Sequence, residues 1–190
     1  MIVPNLLLRG MTFFLGVTLI GAALASGTAA QEPDAPAARP EDVASIDAMI
    51  AAVYEVISGP AGEPRDWERF RSLFVPGARL IPTRVAEDGS VTAVMLTPDD
   101  FVEASGPAIM ENGFFESEIG RVTEEFGHMA HAFSSYESKR SPDDAEPFQS
   151  GINSMQLLND GERWWFVTIY WDAERTGTPI PERYLRAGSN

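Results

Sequence analysis

The sequence lacks several residue types on which common kinds of protein chemistry depend. It has no cysteine, so the chain must fold without disulfides, and neither thiolate zinc sites nor a lipoprotein anchor is available. Lys139 is the only lysine, and the formal net charge is −14. Such an acid excess argues against binding to nucleic acid or to anionic lipid. The sequence also contains no phosphate loop, dinucleotide fingerprint or serine-nucleophile motif.

Long uncharged runs are likewise scarce, and the clearest one lies near the N-terminus. Residues 11–25 read MTFFLGVTLIGAALA, with Arg9 as the only charge among the first thirty residues. The small residues of Ala23–Ala25 or Thr28–Ala30 then fit a cleavage site. We therefore expect a signal peptide over residues 1–30, and a periplasmic or secreted protein that is free of the membrane after cleavage. The alternative is an uncleaved anchor, but an apolar run of this length spans only about 22 Å of helix, against roughly 30 Å of hydrocarbon.

The next part of the chain predicts a linker and three helices. Residues 31–40 read QEPDAPAARP, a composition typical of a disordered linker. A first helix is predicted over 41–58 and a second over 67–74, after Asp66 as its N-cap. The third begins with a capping box, Thr97–Asp100, and runs to Met110 or Glu111. The stripe that predicts the first helix consists of Val43, Ile46, Ile50, Val53 and Ile57.

Strand patterns dominate the second half of the chain. The longest is a hairpin over 148–172, in which two β-branched and aromatic runs flank the turn residues Asp160-Gly161. Four more strands are predicted over 78–85, 91–96, 114–123 and 128–139. An extended tail, 173–190, follows. Helices first and strands last indicate an α+β fold, in which a strongly curved antiparallel sheet wraps around three N-terminal helices.

This order of elements resembles the nuclear-transport-factor-2-like superfamily, which includes SnoaL-like cyclases and ketosteroid isomerases. The resemblance covers roughly Asp42 to Asp172 and places a single domain at 41–172. Its most specific segments are Phe126–His131, Ser134–Glu137, Gly151–Ser154 and Trp164–Val167. The resemblance implies a cone-shaped fold that encloses a deep apolar pocket, with an outer sheet face that often dimerises. The enzymes of that superfamily place Asp, His or Tyr in the pocket, but no isomerase Asp/Tyr pair maps onto this chain, so activity stays open.

The two histidines, His128 and His131, are the first candidates for chemistry. Residues three apart on a strand point to opposite faces, so this pair cannot share a metal, and we expect neither a metal nor a cofactor. Singly, either histidine could act as a general base with Tyr136. Strand parity places His128, Ala130, Ala132, Ser134 and Tyr136 on one face and His131 on the other. Glu116 and Glu118 share a strand face, and we interpret them as a solvated rim.

A pocket between the helices and the sheet is the predicted binding site for a small apolar or aromatic molecule. The residues predicted to lie near it are Tyr54, Trp67, Phe70, Tyr136, Asn153 and one of Trp164 or Trp165. The leading hypothesis is therefore an exported small-molecule-binding domain. The alternatives are a proton-transfer enzyme of the isomerase, cyclase or dehydratase type, and a dimeric structural or interaction module. In every case a homodimer through the outer sheet face is expected.

Overall fold

A computed structural model describes residues 35–185. The predicted signal peptide, the first part of the linker and the last five residues lie outside the described residues. Within the described part, no helix is both long and apolar enough to cross a membrane.

Four α-helices precede the long strands or lie between them: α1 (Pro40–Val43), α2 (Ile46–Ile57), α3 (Trp67–Ser72) and α4 (Pro98–Asn112). The first predicted helix is in fact two, because Ser45 adopts an extended conformation and its side chain accepts a hydrogen bond from the Ala48 N–H. The second ends at Ser72, two residues early, since Phe74 already begins a strand. The capping box at Thr97 and Asp100 is confirmed.

Within residues 35–185, six strands form one open sheet: β1 (Phe74–Val85), β2 (Val91–Ala93), β3 (Phe115–Phe126), β4 (Met129–Lys139), β5 (Gln149–Asn159) and β6 (Trp164–Ala173). Their order is β2-β1-β6-β5-β4-β3. The α+β class and the final hairpin are confirmed. The expectation of a wholly antiparallel sheet is wrong at one pair, because β6 returns beside β1 in the same direction. This pairing joins distant parts of the chain, so no turn motif signals it.

The helices cover one side of the sheet, which we call the inner face, and together they bury the core. Aromatic rings connect the layers: Phe70 of α3 packs against Phe74 at 4.9 Å, and Phe74 against Phe166 of β6 at 5.5 Å between ring centroids. A partly buried ion-pair cluster connects the helices to one another. Arg69 of α3 donates to both carboxylate oxygens of Asp42, at 2.7 and 2.8 Å, and to Glu55 of α2 at 2.9 Å. The opposite side is the outer face, which the tail partly covers.

The tail does not continue as a strand but ends in a short 3-10 helix, Glu182–Tyr184. The Tyr184 ring contacts Phe133 on the outer face at 4.9 Å between centroids, and the Tyr184 carbonyl accepts from the Ser135 hydroxyl at 2.8 Å. Gly120 of β3 makes this approach possible, since a Cβ there would overlap the backbone of Tyr184 and Leu185. The tail therefore packs against one side of the sheet without adding to it.

Candidate functional site

A cavity of about 190 Å³ lies between the inner face of the sheet and the helices. One wall comes from α2, through Val53, Tyr54 and Ile57, and another from Phe101 and Ile109 of α4. The remaining residues that line it are Phe70, Leu80, Phe114, Glu116, Tyr136, Gln149, Asn153, Met155, Ile169 and Trp171. Most of these side chains are apolar, and the polar ones come mainly from the sheet.

The strand register explains why those polar groups converge. Residues directly opposite one another in an antiparallel pair share a face, so each row of partners crosses the sheet on one side. Glu116, Ser138 and Gln149 form one such row on β3, β4 and β5. Ser134, Asn153 and Trp171 form another, on β4, β5 and β6. Residues that are far apart in sequence therefore meet on the inner face.

Between these two rows lies Tyr136, opposite Gly151 on the neighbouring strand. The absence of a side chain at Gly151 is what leaves space for the tyrosine. A Cβ at that position would lie 2.6 Å from the Tyr136 hydroxyl and would also overlap the Asp172 carbonyl oxygen. Tyr136 is 1% exposed, and its hydroxyl accepts a hydrogen bond from the Gln149 amide at 2.9 Å.

A chain of hydrogen bonds connects the polar groups. Asn153 donates from Nδ2 to the Tyr54 hydroxyl at 3.1 Å, and that hydroxyl bonds Ser134 Oγ at 2.8 Å. The Asn153 amide also donates to Glu116 Oε1, over a longer distance of 3.4 Å. The other carboxylate oxygen of Glu116 accepts from Ser138 Oγ at 2.9 Å. Tyr54 and Asn153 thus satisfy the buried-polar requirement with protein partners.

Burial controls the electrostatics of this wall. It raises the pKa of Glu116 to about 7, although hydrogen bonds from Ser138 and Asn153 oppose the shift. Burial also raises the pKa of Tyr54 and Tyr136 above the ordinary value, and the nearby Glu116 charge raises both further. The two tyrosines therefore stay neutral at physiological pH, whereas Glu116 titrates near neutral pH.

Four of the residues predicted from the sequence line the cavity, and three do not. Tyr54, Phe70, Tyr136 and Asn153 are among its walls. The three tryptophans predicted nearby have other surroundings. Trp67 packs edge-on against Phe70 at 5.8 Å and lies over Gly106 of α4. Trp164 and Trp165 are at the turn end of β6, whereas the cavity lies at the other end, where Trp171 lines it.

The structure does not bring the predicted His/Tyr pair together. His131 is on the outer face, where its Nε2 bonds Ser154 Oγ at 3.1 Å and its ring contacts Phe133. His128 precedes the first residue of β4, so strand parity does not apply to it, and its Nδ1 bonds the Asn159 carbonyl at 2.9 Å. Neither histidine lines the cavity that contains Tyr136. Among residues 35–185 there is no cluster of acidic or histidine side chains arranged to hold a metal.

Sequence reasoning missed Glu116, Gln149 and Trp171. Glu116 was interpreted as part of a solvated rim, but it faces the cavity, and only Glu118 pairs with Arg121 near the surface. The signal that could have found Glu116 is its spacing of two residues from Phe114, which also lines the cavity, combined with the register that places Glu116 opposite Ser138. Trp171 follows from the same argument, since it is opposite Asn153.

No family model and no curated protein matches this chain. Solved structures do resemble it. A Nostoc punctiforme protein of unknown function, described as having a cystatin-like fold, has a TM-score of 0.52 at 10% identity over 69% of this chain and 90% of its own. At that identity the likeness concerns the fold alone.

Two further structures are described as NTF-2-like proteins of unknown function. The one from Silicibacter pomeroyi has a TM-score of 0.46 at 15% identity, covering 69% of this chain and 94% of its own. The one from Shewanella baltica has a TM-score of 0.38 at 13% identity, covering 69% of this chain and 98% of its own. Of these three structures, the one from Nostoc punctiforme carries the likeness of fold, and none of the three descriptions attaches an activity.

Proposed function

We propose that this domain binds a small, largely apolar molecule that carries one hydrogen-bonding group. The observation that supports the proposal is the asymmetry of the cavity. Its helix side is apolar except for Tyr54, while the sheet side presents Glu116, Tyr136 and Asn153 together. Ligand sites commonly combine apolar walls with a few placed polar groups, which orient the ligand and select for it.

The size of the cavity limits the ligand. A dry engineered cavity of about 150 Å³ accepts benzene. The cavity here, at about 190 Å³, therefore suits a single substituted ring or a branched chain of similar bulk. The partly exposed side chains of Phe101, Phe114 and Trp171 lie at its wall and provide the contact surface for such a group.

Thermal unfolding in the presence of small aromatic compounds tests the proposal. A ligand that binds only the folded state stabilises it by about 2.7 kcal/mol at a hundred times its Kd, which raises the melting temperature measurably. Binding should also change tryptophan emission, and Trp171→Phe should remove that change because the other three tryptophans do not line the cavity. The proposal fails if no apolar compound shifts the melting temperature.

Asn153→Leu separates the polar contribution from the apolar one. Because Asn153 supports the polar wall, its loss should weaken ligands that carry a hydrogen-bonding group more than purely apolar ligands. The matched control is Gln156→Leu, which makes the same kind of change at an exposed position of the same strand. Equal weakening by both variants would contradict a polar role for Asn153.

Proton transfer at Glu116 is the second candidate function, and one observation favours it. A carboxyl whose pKa is about 7 inside an apolar cavity can both accept and release a proton near neutral pH. This replaces the earlier expectation of a histidine base, since neither histidine lines the cavity. Exchange of an acidic C–H proton of a small cyclic ketone for deuterium, followed by NMR, tests it. Catalysed exchange that Glu116→Gln abolishes would support an enzyme, and exchange at the uncatalysed rate would exclude one for that substrate class.

Export and dimerisation complete the proposal. We propose that the mature protein starts near Ser26 or Gln31, and N-terminal sequencing of the exported protein tests this.

For the outer face we propose a second copy as partner, since Val167 and Tyr170 of β6 remain 37% and 44% exposed. Light scattering at micromolar concentration should then give twice the chain mass, and Tyr170→Arg should return it to the monomer mass.

A further inference from the structure

Glu116 is a carboxylate without a cationic partner. Its two hydrogen-bond donors, Ser138 and Asn153, are neutral, and the bond to Oε1 is long at 3.4 Å. Among the described residues, no lysine, arginine or histidine lines the cavity. Two arginines of this part of the sheet, Arg121 within β3 and Arg140 just after β4, have other partners. Arg121 pairs with Asp47 and Glu118, and Arg140 stacks on Phe148 at 3.9 Å.

This arrangement is unfavourable for the ionised protein on its own. A buried charge normally needs a counter-ion or several hydrogen bonds, because its desolvation otherwise costs several kcal/mol. Glu116 instead retains unused acceptor capacity at Oε1, and that oxygen belongs to a side chain on the cavity wall. A ligand that brought a positive charge to this point would supply the counter-ion that Glu116 lacks.

The other walls of the cavity are suited to the same kind of ligand. Phe101 and Trp171 meet edge to face, at an interplanar angle of 84° and a centroid distance of 6.3 Å, and so present two differently oriented aromatic surfaces. Phe114 and the ring of Tyr136 also line the cavity. Aromatic faces attract ammonium and guanidinium groups through the ring quadrupole, and the attraction is stronger where the cation is desolvated.

The charge of the chain favours cations over anions as well. The formal net charge of −14 raises the local concentration of small cations and disfavours the approach of anions. An anionic ligand would in addition face Glu116 without any basic residue on the cavity wall to compensate. A neutral ligand could donate a hydrogen bond to Glu116 Oε1 but would leave the negative charge of the carboxylate without a counter-ion.

From these observations we infer that the cavity selects a small organic cation, an ammonium group on an apolar or aromatic body, with Glu116 as its counter-ion. The inference rests on the proposed binding function and specifies its ligand class. The ammonium group lies against Glu116 Oε1, and the apolar body fills the space between α2, α4 and the inner face.

Affinity for such a cation must then depend on the ionisation of Glu116 alone. The titratable groups that face it are Tyr54 from α2 and Tyr136 from β4, and both stay neutral because their pKa values are raised. The remaining polar neighbours, Ser138 and Asn153, do not titrate. Glu118 and Asp172 are the other charged groups nearby, and they raise the pKa of Tyr54 and of Tyr136, respectively. The affinity should therefore fall about tenfold for each pH unit below about 7 and level off above it.

Isothermal titration of the full-length protein with three matched probes tests the inference: phenyltrimethylammonium, benzyl alcohol and benzoate. The charge of phenyltrimethylammonium does not change with pH, so any pH dependence of its affinity comes from titration of the protein. At about pH 8 it should bind at least about tenfold more tightly than the alcohol, and benzoate should bind more weakly than either. Glu116→Gln should remove this preference by weakening the cation about tenfold or more while changing the alcohol less than about threefold.

Glu137→Gln is the matched control, since it removes the same charge from an exposed face of the same sheet, where Glu137 pairs with Lys139 at 3.6 Å. It should change the affinity for the cation less than about twofold. Equal affinities for the ammonium compound and the alcohol, unaffected by Glu116→Gln, would overturn the cation inference and leave the proposed binding function intact. Absence of binding by all three probes would overturn the inference and count against the proposed function too.

Discussion

The inner face of the sheet and the exposed turn before β6 shift the pKa of a carboxyl group in opposite directions. On the inner face, burial raises the pKa of Glu116 to about 7. In the exposed turn before β6, Asp160 accepts from the Trp165 indole at 2.6 Å and from two backbone N–H groups, and these bonds lower its pKa to about 2. The chemical groups are nearly the same, so the surroundings alone explain the difference.

The comparison extends to the aromatic residues. Next to the cavity, Tyr54 of α2 and Tyr136 of β4 are nearly inaccessible to solvent, and both are hydrogen-bonded to side chains of the sheet. On the outer face Tyr170 is 44% exposed, and Trp165 is stacked beneath the Arg163 guanidinium at 3.5 Å. The positions of polar side chains next to the cavity are thus fixed by hydrogen bonds within the protein. On the outer face, the side chains contact solvent or other surface residues.

The largest expected effect is on packing. Phe166 of β6 is 0% exposed and contacts Phe74, so Phe166→Ala should lower the free energy of unfolding by about 3–5 kcal/mol. Tyr170→Ala, four residues along the same strand but on the outer face, should cost less than about 1 kcal/mol. Urea unfolding of both variants measures the difference. If both variants lost a similar free energy of unfolding, the side chains of the two faces would contribute equally to packing.

The next largest effect concerns pH. The folded protein retains the Glu116 proton up to about pH 7, while the unfolded chain releases it near the ordinary value of 4.5. Between those values the folded state binds more protons, so the free energy of unfolding should fall as pH rises, by about 3 kcal/mol in total. Asp42, Glu55 and Asp160 have lowered pKa values, and their contribution is lost only as pH falls below the ordinary range of carboxyls.

Glu116→Gln provides the control for that pH dependence. The amide cannot ionise, so the decline between about pH 4.5 and 7 should disappear, and the variant should be more stable than the parent at about pH 8. Denaturant unfolding at several pH values measures both. A decline that persists in Glu116→Gln would have to come from another group.

A smaller effect is expected from a single hydroxyl. Tyr54→Phe removes the oxygen that joins Asn153 to Ser134, but each of those residues keeps a bond to a glutamate. The free energy of unfolding should therefore fall by about 1–2 kcal/mol. Tyr170→Phe removes a hydroxyl from the outer face and should stay within about 0.5 kcal/mol of the parent. Equal effects would show that the inner hydrogen bonds contribute no net stability.

The parts of the fold that could be predicted from the sequence are those that local chemistry determines. The capping box at Thr97 and the Asp-Gly turn of the last hairpin are contained in a few neighbouring residues. The break at Ser45 was also a local signal, a serine able to cap the next helix, but the apolar stripe continues across it and conceals it. The parallel pairing of β1 with β6 has no local signal at all.

The site shows the same division. Parity correctly separates Tyr136 from His131, but parity does not say which of the two faces the helices cover. Predicting the position of Glu116 requires more information than parity. Its place on the cavity wall depends on its partner in the neighbouring strand and on the helices that cover this part of the sheet. These are properties of the assembled sheet, and the residues next to Glu116 in the sequence do not reveal them. For this reason the sequence alone indicates a solvated rim for Glu116.

A small effect is also expected at His131, which the sequence suggested as a possible general base. Its bond to Ser154 and its contact with Phe133 are partly solvated, so His131→Ala should lower the free energy of unfolding by only about 0.5–1.5 kcal/mol. Because the β4 and β5 backbones lie between His131 and the cavity, affinity for phenyltrimethylammonium or benzyl alcohol should change less than about twofold. Titration calorimetry on His131→Ala beside Tyr136→Phe measures this. A His131 variant that loses ligand affinity while Tyr136→Phe retains it would place the binding site on the outer face and reverse the comparison.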